Sequence, residues 1–301
     1  MKKILVVGSL NMDIVLEVGR MPREGETISG KSIARIPGGK GANQACAAGK
    51  LGGQVTMLGA VGADEYGKIL KQNLAATGVN IESVAVLPGV DTGQAYITVN
   101  EQGENSIVLI SGANGEMTCE QVKKHLYLLD ACDIVVLQLE IPLETVLYVK
   151  WEAIRRKKLV IIDPAPARTD IPDELWEGVS YIKPNETELN VLTGYNAQTK
   201  EEMTQAARSL VEKGVECVMV TLGSKGVLCV TEDTSDFFAA NPVNAVDTTA
   251  AGDCFTGAFA VALSEGKNCT EAICFGQKAS AIAVTRKGAQ SSLPTRDEVD
   301  G

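Results

Sequence analysis

Two aspartates, Asp247 and Asp253, stand six residues apart in a stretch of otherwise small and apolar residues, VDTTAAGDCFTGAFAVAL. The small residues Ala250, Ala251 and Gly252 lead into an apolar helical pattern. The free N–H groups and the dipole of a first helical turn bind anions such as phosphate. Asp253 beside such a site would accept the proton of a hydroxyl group that attacks phosphorus. The alternative is that Asp253 only caps the helix, and this stretch alone does not decide between the two.

Three further motifs supply polar groups at turns. In GGKGANQA, Lys40 and Asn43 offer donors for sugar hydroxyls, and the order of residues is not that of a Walker loop. In PNETEL, Asn185 and Glu188 share one face of a helix start, where they would hold the water shell of Mg²⁺. The turn TLGSKG suits nucleotide phosphates, through its backbone amides and Lys225. A structural helix entry, a helix cap and a plain hairpin turn are the competing interpretations, and they stay open.

Composition limits the classes of function. A chain of 301 residues with 45% apolar content buries a large core as one big domain, with or without a small appendage. Its formal charge of -10 and its lack of basic runs argue against nucleic acid as a partner. No apolar run reaches the length of a membrane span. Eight cysteines without a C-x-x-C pair, and a single histidine, favour reduced thiols and a cytoplasmic protein over zinc binding.

The pattern of elements predicts an α/β fold. Short β-branched runs, which include 133–140 and 181–186, alternate with helical stretches such as 118–129. This alternation implies a doubly wound, mainly parallel sheet with helices on both faces. Segments 13–36 and 92–110 break this rhythm, because their alternating apolar residues predict hairpins. We expect one domain over 1–301 in which these segments form a small antiparallel β lid. Two surface hairpins without a joint role are the alternative.

The motifs, taken in order, resemble the ribokinase-like carbohydrate kinase family. The matching segments run from near residue 4 to near residue 292, and they include GSLNMD, GGKGANQA, LQLE, PAPAR, PNETE, TLGSKG, DTTAAGD and TRKGAQSS. The resemblance implies a ribokinase-like fold and ATP-dependent phosphorylation of D-ribose at its 5-hydroxyl. It also implies Mg²⁺ and K⁺ as cofactors, and a homodimer through the lid. Ala250 departs from the glycine that the wider family usually has there.

The resemblance assigns roles residue by residue. It makes Asp253 the catalytic base and the amides of Ala250, Ala251 and Gly252 the anion hole. The sugar-binding positions are Asn11, Met12, Asp13, Gly39, Lys40, Gly41, Ala42, Asn43, Glu140 and Asp253. The ATP positions are Asn185, Thr221, Leu222, Gly223, Ser224, Lys225, Gly226, Gly252, Asp253 and Gln277. The monovalent cation positions are Asp247, Thr249, Ala283, Arg286, Gly288 and Ser292, and Glu188 would hold magnesium through water.

Other functions remain to be weighed against a ribose kinase. Within the family, the substrate would be another sugar or a nucleoside, such as 2-deoxyribose, fructose or adenosine. A Rossmann dehydrogenase lacks its G-x-G-x-x-G motif here. A sugar-sensing module without catalysis is opposed by the complete set of polar residues. The 92–110 hairpin carries apolar residues that need a partner, which supports the homodimer: Tyr96, Ile97, Val99, Ile107, Val108 and Ile110.

Overall fold

The computed structural model describes all 301 residues, which form two β-sheets and ten α-helices. The strands are β1 (Lys3–Val7), β2 (Asn11–Val18), β3 (Gly30–Gly38), β4 (Gln54–Gly62), β5 (Val84–Leu87), β6 (Gly93–Val99), β7 (Asn105–Ile110), β8 (Ile134–Leu137), β9 (Leu159–Ile162), β10 (Tyr181–Ile182), β11 (Cys217–Thr221), β12 (Gly226–Val230) and β13 (Ser235–Ala239). The helices are α1 (Lys40–Lys50), α2 (Glu65–Ala75), α3 (Cys119–Lys123), α4 (Leu126–Ala131), α5 (Leu143–Arg155), α6 (Glu186–Thr193), α7 (Lys200–Val211), α8 (Ala251–Ser264), α9 (Cys269–Ala283) and α10 (Arg296–Asp300). No helix has the length and apolar character that crossing a membrane requires.

The main sheet has nine strands in the order β13-β12-β11-β10-β9-β8-β1-β4-β5. All neighbouring pairs are parallel except β11–β12 and β12–β13. Strand β1 is apolar on both faces: Ile4 and Val6 pack into one buried cluster, and Leu5 and Val7 pack into another. Successive side chains of a strand point to opposite faces of the sheet, so a strand that is apolar throughout exposes apolar groups on both faces. Helices pack on both faces and bury these groups. The prediction of a doubly wound, mainly parallel sheet is confirmed.

The small sheet has four strands in the order β3-β2-β6-β7. The two predicted hairpins are present, since β2–β3 and β6–β7 are antiparallel. The two hairpins meet through β2 and β6, which run parallel from the pair Asn11–Gly93 to the pair Glu17–Val99. The prediction of a wholly antiparallel sheet is therefore wrong at this pair. Both inner strands leave the main sheet directly, so they enter the small sheet from the same side and run in the same direction.

Several predicted elements are shorter in the structure. The strand expected over 133–140 ends at Leu137, and the strand expected over 181–186 is only Tyr181–Ile182, which Pro184 follows. Proline lacks the N–H that would continue the ladder. The helix expected over 118–129 is divided into α3 and α4. The early strand ends leave polar residues such as Glu140 in loops at the carboxyl edge of the sheet, where ligands of open α/β sheets bind.

Candidate active site

Helix α8 begins with backbone N–H groups that have no acceptor within the chain. Its N-cap, Ala250, adopts a left-handed conformation with φ of 59°, which is uncommon for a residue with a side chain. The N–H of Ala251 donates to the Thr248 carbonyl at 3.2 Å, whereas those of Gly252 and Asp253 donate to no protein group. A Cβ atom on Gly252 would lie 3.0 Å from Lys183 Nζ, so the ammonium group faces this turn. The turn thus combines free amides, a helix dipole and a cation, which suits a phosphate group.

The Asp253 carboxylate lies beside this turn and is 7% exposed. It accepts hydrogen bonds from Asn43 Nδ2 at 2.9 Å and from Gln44 Nε2 at 3.0 Å. Burial raises the pKa of Asp253 to about 6, and Asp163 adds to the rise, while Lys40 and the two amides oppose it. At neutral pH the carboxylate is mostly ionised, yet it binds a proton more readily than an ordinary aspartate. These are the properties of a general base.

Two amides are held in one orientation around Asp253. Gln44 Oε1 accepts from Gln138 Nε2 at 2.6 Å, and Asn43 Oδ1 accepts from Gln290 Nε2 at 3.0 Å. Because each amide oxygen is engaged, each amide nitrogen must point at the carboxylate. The base therefore has a fixed position rather than a mobile one.

A buried ion pair completes the floor of the site. Lys183 Nζ lies 3.1 Å from Asp163 Oδ2, and both side chains are almost fully buried. Asp163 Oδ2 also accepts from Gln44 Nε2 at 2.9 Å, which links the pair to Asp253. The other oxygen of Asp163 is buried without a partner. An unpartnered buried carboxylate oxygen is costly, so it fits a site that receives a polar ligand.

A second group of polar side chains stands at the start of the small sheet. Glu140 Oε2 accepts from the Lys40 backbone N–H at 3.0 Å, from Asn11 Nδ2 at 3.5 Å and from the Ser9 hydroxyl. Asn11 Oδ1 in turn accepts from Asn114 Nδ2 at 2.7 Å. These contacts join segments 9–11, 40, 114 and 140 into one cluster that can bind hydroxyl groups.

The charged groups of this cluster interact electrostatically with Asp253. Burial raises the pKa of Asp13 to about 7, and the negative charges of Glu140 and Asp253 add to this rise. Burial lowers the pKa of Lys40, but the surrounding carboxylates outweigh it and raise the pKa overall. The carboxylates of Asp13, Glu140 and Asp253 thus all interact with the Lys40 ammonium group. Such a set can accept hydrogen bonds from several hydroxyl groups of one small ligand.

Glycines bring helix α1 close to the β1–β2 connection. Gly39 has φ of +87°, and a Cβ atom there would lie 2.6 Å from the Asn11 nitrogen. A Cβ atom on Gly41 would lie 2.6 Å from the Ser9 nitrogen. The side chains of Met12 and Ala42 point into the core and are buried. Contacts between these two residues and a ligand would have to use the backbone.

The predicted nucleotide residues lie along the neighbouring strand ends. Asn185 and Glu188 form a reciprocal capping box at the start of α6. Both hydrogen bonds expected of a helix cap, the alternative to magnesium binding, are therefore present. The Thr221 N–H donates to the Pro184 carbonyl at 2.9 Å, which places the 221–226 turn beside this helix start. That turn joins β11 to β12 as a hairpin: Thr221, Leu222, Gly223, Ser224, Lys225 and Gly226. The Lys225 ammonium pairs with Glu186 at 3.1 Å.

Gln277 lies on α9, apart from that turn, and contacts β13, the strand that pairs with β12. Its Nε2 donates to the carbonyls of Phe238 at 2.9 Å and Ala239 at 3.3 Å, near the end of β13. The Gly226 backbone also lies there, because a Cβ atom on Gly226 would be 2.0 Å from the Phe238 oxygen. The structure therefore brings the end of the predicted nucleotide turn and Gln277 to the same strand end.

Asp247 ties the loop before α8 to the segment after α9. Its Oδ1 accepts from the Thr249 N–H at 2.9 Å, and its Oδ2 accepts from the Gly288 N–H at 2.9 Å. Burial raises the pKa of Asp247, but hydrogen bonds from the Thr249 hydroxyl and from the N–H groups of Gly288 and Thr249 outweigh burial and lower it overall. The Val246 N–H donates to the Val284 carbonyl at 2.7 Å. Carboxylate, hydroxyl and carbonyl oxygens thus gather here, and these are the ligands that hard cations prefer.

Not every predicted cation residue presents its side chain to this loop. The Arg286 guanidinium pairs with Glu298 at 2.6 Å, and the backbone N–H of Arg286 donates to the Ala283 carbonyl at 3.0 Å. Ser292 is buried, and its hydroxyl donates to the Ala289 carbonyl at 2.8 Å. Ala283 and Arg286 can therefore offer a cation only their backbone oxygens.

The comparison with protein families decides the class. The model of the pfkB family of carbohydrate kinases matches residues 1–296. The chain belongs to the pfkB family of carbohydrate kinases. It is therefore an enzyme, an ATP-binding sugar kinase of the ribokinase-like group.

Two curated relatives and one solved structure illustrate the similarity. Ribokinase from Haemophilus influenzae is 42% identical over 297 residues, which cover 99% of this chain and 97% of the relative. Deoxyribokinase from Salmonella typhi is 39% identical over 295 residues, which cover 98% and 96% of the two chains. A solved structure of Arabidopsis thaliana ribokinase with ribose and ATP has a TM-score of 0.93 and 38% identity, covering 99% of this chain and 97% of that one.

Sequence reasoning missed four polar residues of this pfkB family kinase: Gln44, Gln138, Asp163 and Lys183. Each of the last three follows a buried strand by one residue, and that position was a usable signal. Gln44 lies inside the GGKGANQA motif, but only its contacts with Asp163 and Asp253 make it important. Gln138 lies inside the LQLE segment, but no motif assigns a role to any of the four.

Proposed function

We propose that this kinase transfers the γ-phosphoryl group of ATP to the 5-hydroxyl of D-ribose. The observation that carries the proposal is the buried Asp253 carboxylate beside the free amides at the start of α8. A group of carboxylates and amides suited to sugar hydroxyls lies next to it. The ribokinase names among relatives at about 40% identity support ribose as the sugar.

The proposed reaction is an in-line displacement at phosphorus. Asp253 accepts the proton of the ribose 5-hydroxyl, and the hydroxyl oxygen forms a bond to the γ-phosphorus. The bond from that phosphorus to the β–γ bridging oxygen breaks, and ADP leaves with the electron pair. The amides of Ala250, Ala251 and Gly252 stabilise the charge on the transferring oxygens. Of these three, the N–H groups of Ala250 and Gly252 donate to no protein group, whereas that of Ala251 donates to the Thr248 carbonyl.

We assign the sugar to the polar cluster at the start of the small sheet and the nucleotide to the residues along the neighbouring strand ends. Asn11, Asp13, Lys40, Asn43 and Glu140 bind the sugar hydroxyls, and the glycines at 39 and 41 admit close contact of the backbone. Asn185, Gln277 and the 221–226 turn bind the nucleotide, whose terminal phosphate reaches the start of α8. Lys183 lies beside Gly252, where its charge favours the phosphate.

Magnesium and a monovalent cation, potassium, complete the proposal. Magnesium neutralises phosphate charge when it is bound, and Glu188 holds its water shell. Glu188 caps its own helix through Oε2, which leaves its other oxygen for such a water. Asp247, Thr249 and the carbonyls of Ala283 and Arg286 hold the monovalent cation, near Gly288 and Ser292. The same loop leads into Ala250, so order in this loop supports the position of the amides.

We further propose that the chain works as one domain whose small sheet, built from segments of about 13–36 and 92–110, closes over the sugar. A homodimer would form through this sheet. Edge strand β7 supports it, because Ile107 is 56% exposed, Val108 is 59% exposed and Ile110 is 47% exposed. These residues alternate between the two faces of the strand, so a second copy would cover apolar surface on both. All eight cysteines are free thiols, the state that the cytoplasm maintains, and we propose that location.

Sedimentation velocity at several concentrations tests the dimer. We expect a dimer for the parent chain and a monomer for Ile107→Lys. Tyr195→Lys is the control, because Tyr195 is a similarly exposed apolar residue outside the small sheet. A parent chain that stays monomeric at all concentrations would refute the dimer.

The decisive test of the function is phosphate transfer from ATP to ribose, with and without K⁺. We expect formation of ribose 5-phosphate, identified by phosphorus NMR, and faster turnover with K⁺. The competing function is phosphorylation of 2-deoxyribose, favoured by the 39% identity to a deoxyribokinase. Values of kcat/KM for ribose, 2-deoxyribose, fructose and adenosine separate these substrates. A higher kcat/KM for any of the other three would replace ribose in the proposal.

A further inference from the structure

Three cysteines from distant parts of the sequence converge near the edge of the main sheet. Cys217 begins β11, Cys229 lies in β12 and Cys269 begins α9. Their sulfur atoms all lie within 4.8 Å of one another, and those of Cys217 and Cys229 are 3.2 Å apart. No other three His, Cys, Asp or Glu side chains in the chain converge as candidate metal ligands.

The spacing of these sulfurs matches the needs of a metal ion. With a metal–sulfur distance of about 2.3 Å, sulfurs around one ion are about 3.8 Å apart in tetrahedral geometry and about 4.0 Å apart in trigonal geometry. The Cys217–Cys229 separation of 3.2 Å is shorter than these values, and the two separations from Cys269 are at most 4.8 Å. Shifts of several tenths of an ångström in the side chains would therefore bring all three sulfurs onto one ion.

The surroundings allow an ion to enter and to be held. Cys217 is 4% exposed and Cys229 is 6% exposed, whereas Cys269 is half-buried and forms the opening. Asp236 lies opposite Cys229 in the β12–β13 register, so its exposed carboxylate is on the same face of the sheet. A carboxylate or a water molecule is thus available as a fourth ligand.

The cluster is separate from the proposed active site. Strand β11 runs from Cys217 to Thr221, so the cluster and the 221–226 turn lie at opposite ends of this strand. Helix α9 likewise runs from Cys269 toward Gln277, which contacts the end of β13. An ion bound by the three sulfurs would connect the start of α9 to the β11–β12 hairpin.

We propose that Cys217, Cys229 and Cys269 form a binding site for one soft d¹⁰ metal ion of the Zn²⁺, Cd²⁺ or Cu⁺ type. Soft thiolate ligands select such ions over Mg²⁺ and K⁺. Each thiol that binds the ion as thiolate releases its proton to solvent, so binding strengthens as pH rises. The bound ion stabilises the packing of α9 against the sheet, because it is held by the folded chain and not by the unfolded one.

Titration of the full-length reduced chain with Cd²⁺ tests the site. The reductant is a phosphine rather than a thiol, so that it does not compete for the metal. We expect the ultraviolet charge-transfer band of cadmium thiolates to saturate at one ion per chain. Saturating Zn²⁺ should also raise the Tm of the parent chain.

Two serine variants assign the signal to its residues. Cys269→Ser should weaken Cd²⁺ binding by about 100-fold or more and abolish the Zn²⁺ effect on Tm. Cys274→Ser is the matched control, because Cys274 is an exposed cysteine of the same helix outside the cluster, and it should bind like the parent. Circular dichroism without metal establishes that both variants fold. The proposal is overturned if the parent shows no saturable band, or if Cys269→Ser binds Cd²⁺ as tightly as Cys274→Ser.

Discussion

Replacing Asp253 by asparagine removes the proposed base while keeping the size of the side chain. The loss of a general base costs about 10²–10⁴-fold in rate, or about 3–5 kcal/mol of transition-state stabilisation. We therefore expect kcat to fall by this factor. The KM for ribose should change little, because Asn11, Lys40 and Glu140 remain in the sugar cluster.

The structure also predicts whether this variant folds. The new NH₂ group would face the donors of Asn43 or Gln44, and neither amide can turn over because Gln290 and Gln138 hold their oxygens. An unpaired buried donor costs about 1–3 kcal/mol. Against this, the pKa of Asp253 rises from 3.8 to about 6 on folding. At 1.36 kcal/mol per pKa unit, removing the buried charge stabilises the folded chain by about 3 kcal/mol at most. The two terms nearly cancel, so the variant should fold.

Steady-state kinetics as a function of pH make the test specific. With a pKa of about 6, only about one Asp253 carboxylate in eleven is ionised at pH 5 in the free enzyme, so the parent kcat/KM should fall about tenfold there relative to neutral pH. The residual activity of the variant should lack this acid limb. Asp133→Asn is the control, because it makes the same chemical change before β8, at the opposite edge of the sheet. A kcat within tenfold of the parent, or an unchanged acid limb in the variant, would refute the role of Asp253.

Three further substitutions test other parts of the site. The pKa of Asp13 rises from 3.8 to about 7 on folding, so its ionised form destabilises the folded chain, and stability is gained as pH falls through 7. Asp13→Asn should raise the free energy of unfolding at pH 8 by about 1–4 kcal/mol, and by less at pH 5, while it weakens ribose binding; urea denaturation and sugar titration check both. Asp247→Ala frees the loop before α8, and kcat measured with K⁺ should fall about 10–100-fold; K⁺ activation as strong as that of the parent would contradict this. Gly41→Ala puts a Cβ atom 2.6 Å from the Ser9 nitrogen, and urea denaturation should report a loss of about 1–3 kcal/mol. Gly19→Ala is its control, since nothing lies within 4 Å of that position, and equal losses in both variants would remove the packing argument.

The order of elements was predictable because it follows from local patterns. Continuous β-branched runs such as the one over Lys3–Val7 identify buried parallel strands, and the alternating segments 13–36 and 92–110 identify hairpins. The direction in which the hairpins meet was not predictable. Strands β2 and β6 pair in parallel because both leave the main sheet on the same side, and no local pattern records that.

The sequence by itself identified the residues that could take part in chemistry. They are Asp253, the small residues before it at the start of α8, and the glycines that bring α1 close to Ser9 and Asn11. These depend on neighbours along the chain, where spacing is visible. Only the tertiary structure placed Gln44 and Asp163 near that carboxylate and Lys183 against Asp163. The pKa of Asp253 could not be predicted from the sequence, since a pKa depends on burial and on charges that act through space.

The cysteines follow the same division. Their positions in the sequence contain no C-x-x-C pair, so spacing argued against a metal site. The hairpin of β11 and β12 and the first residue of α9 bring three of them together across the fold. Ligand geometry is a property of distances in space, and it is set by packing rather than by separation along the chain.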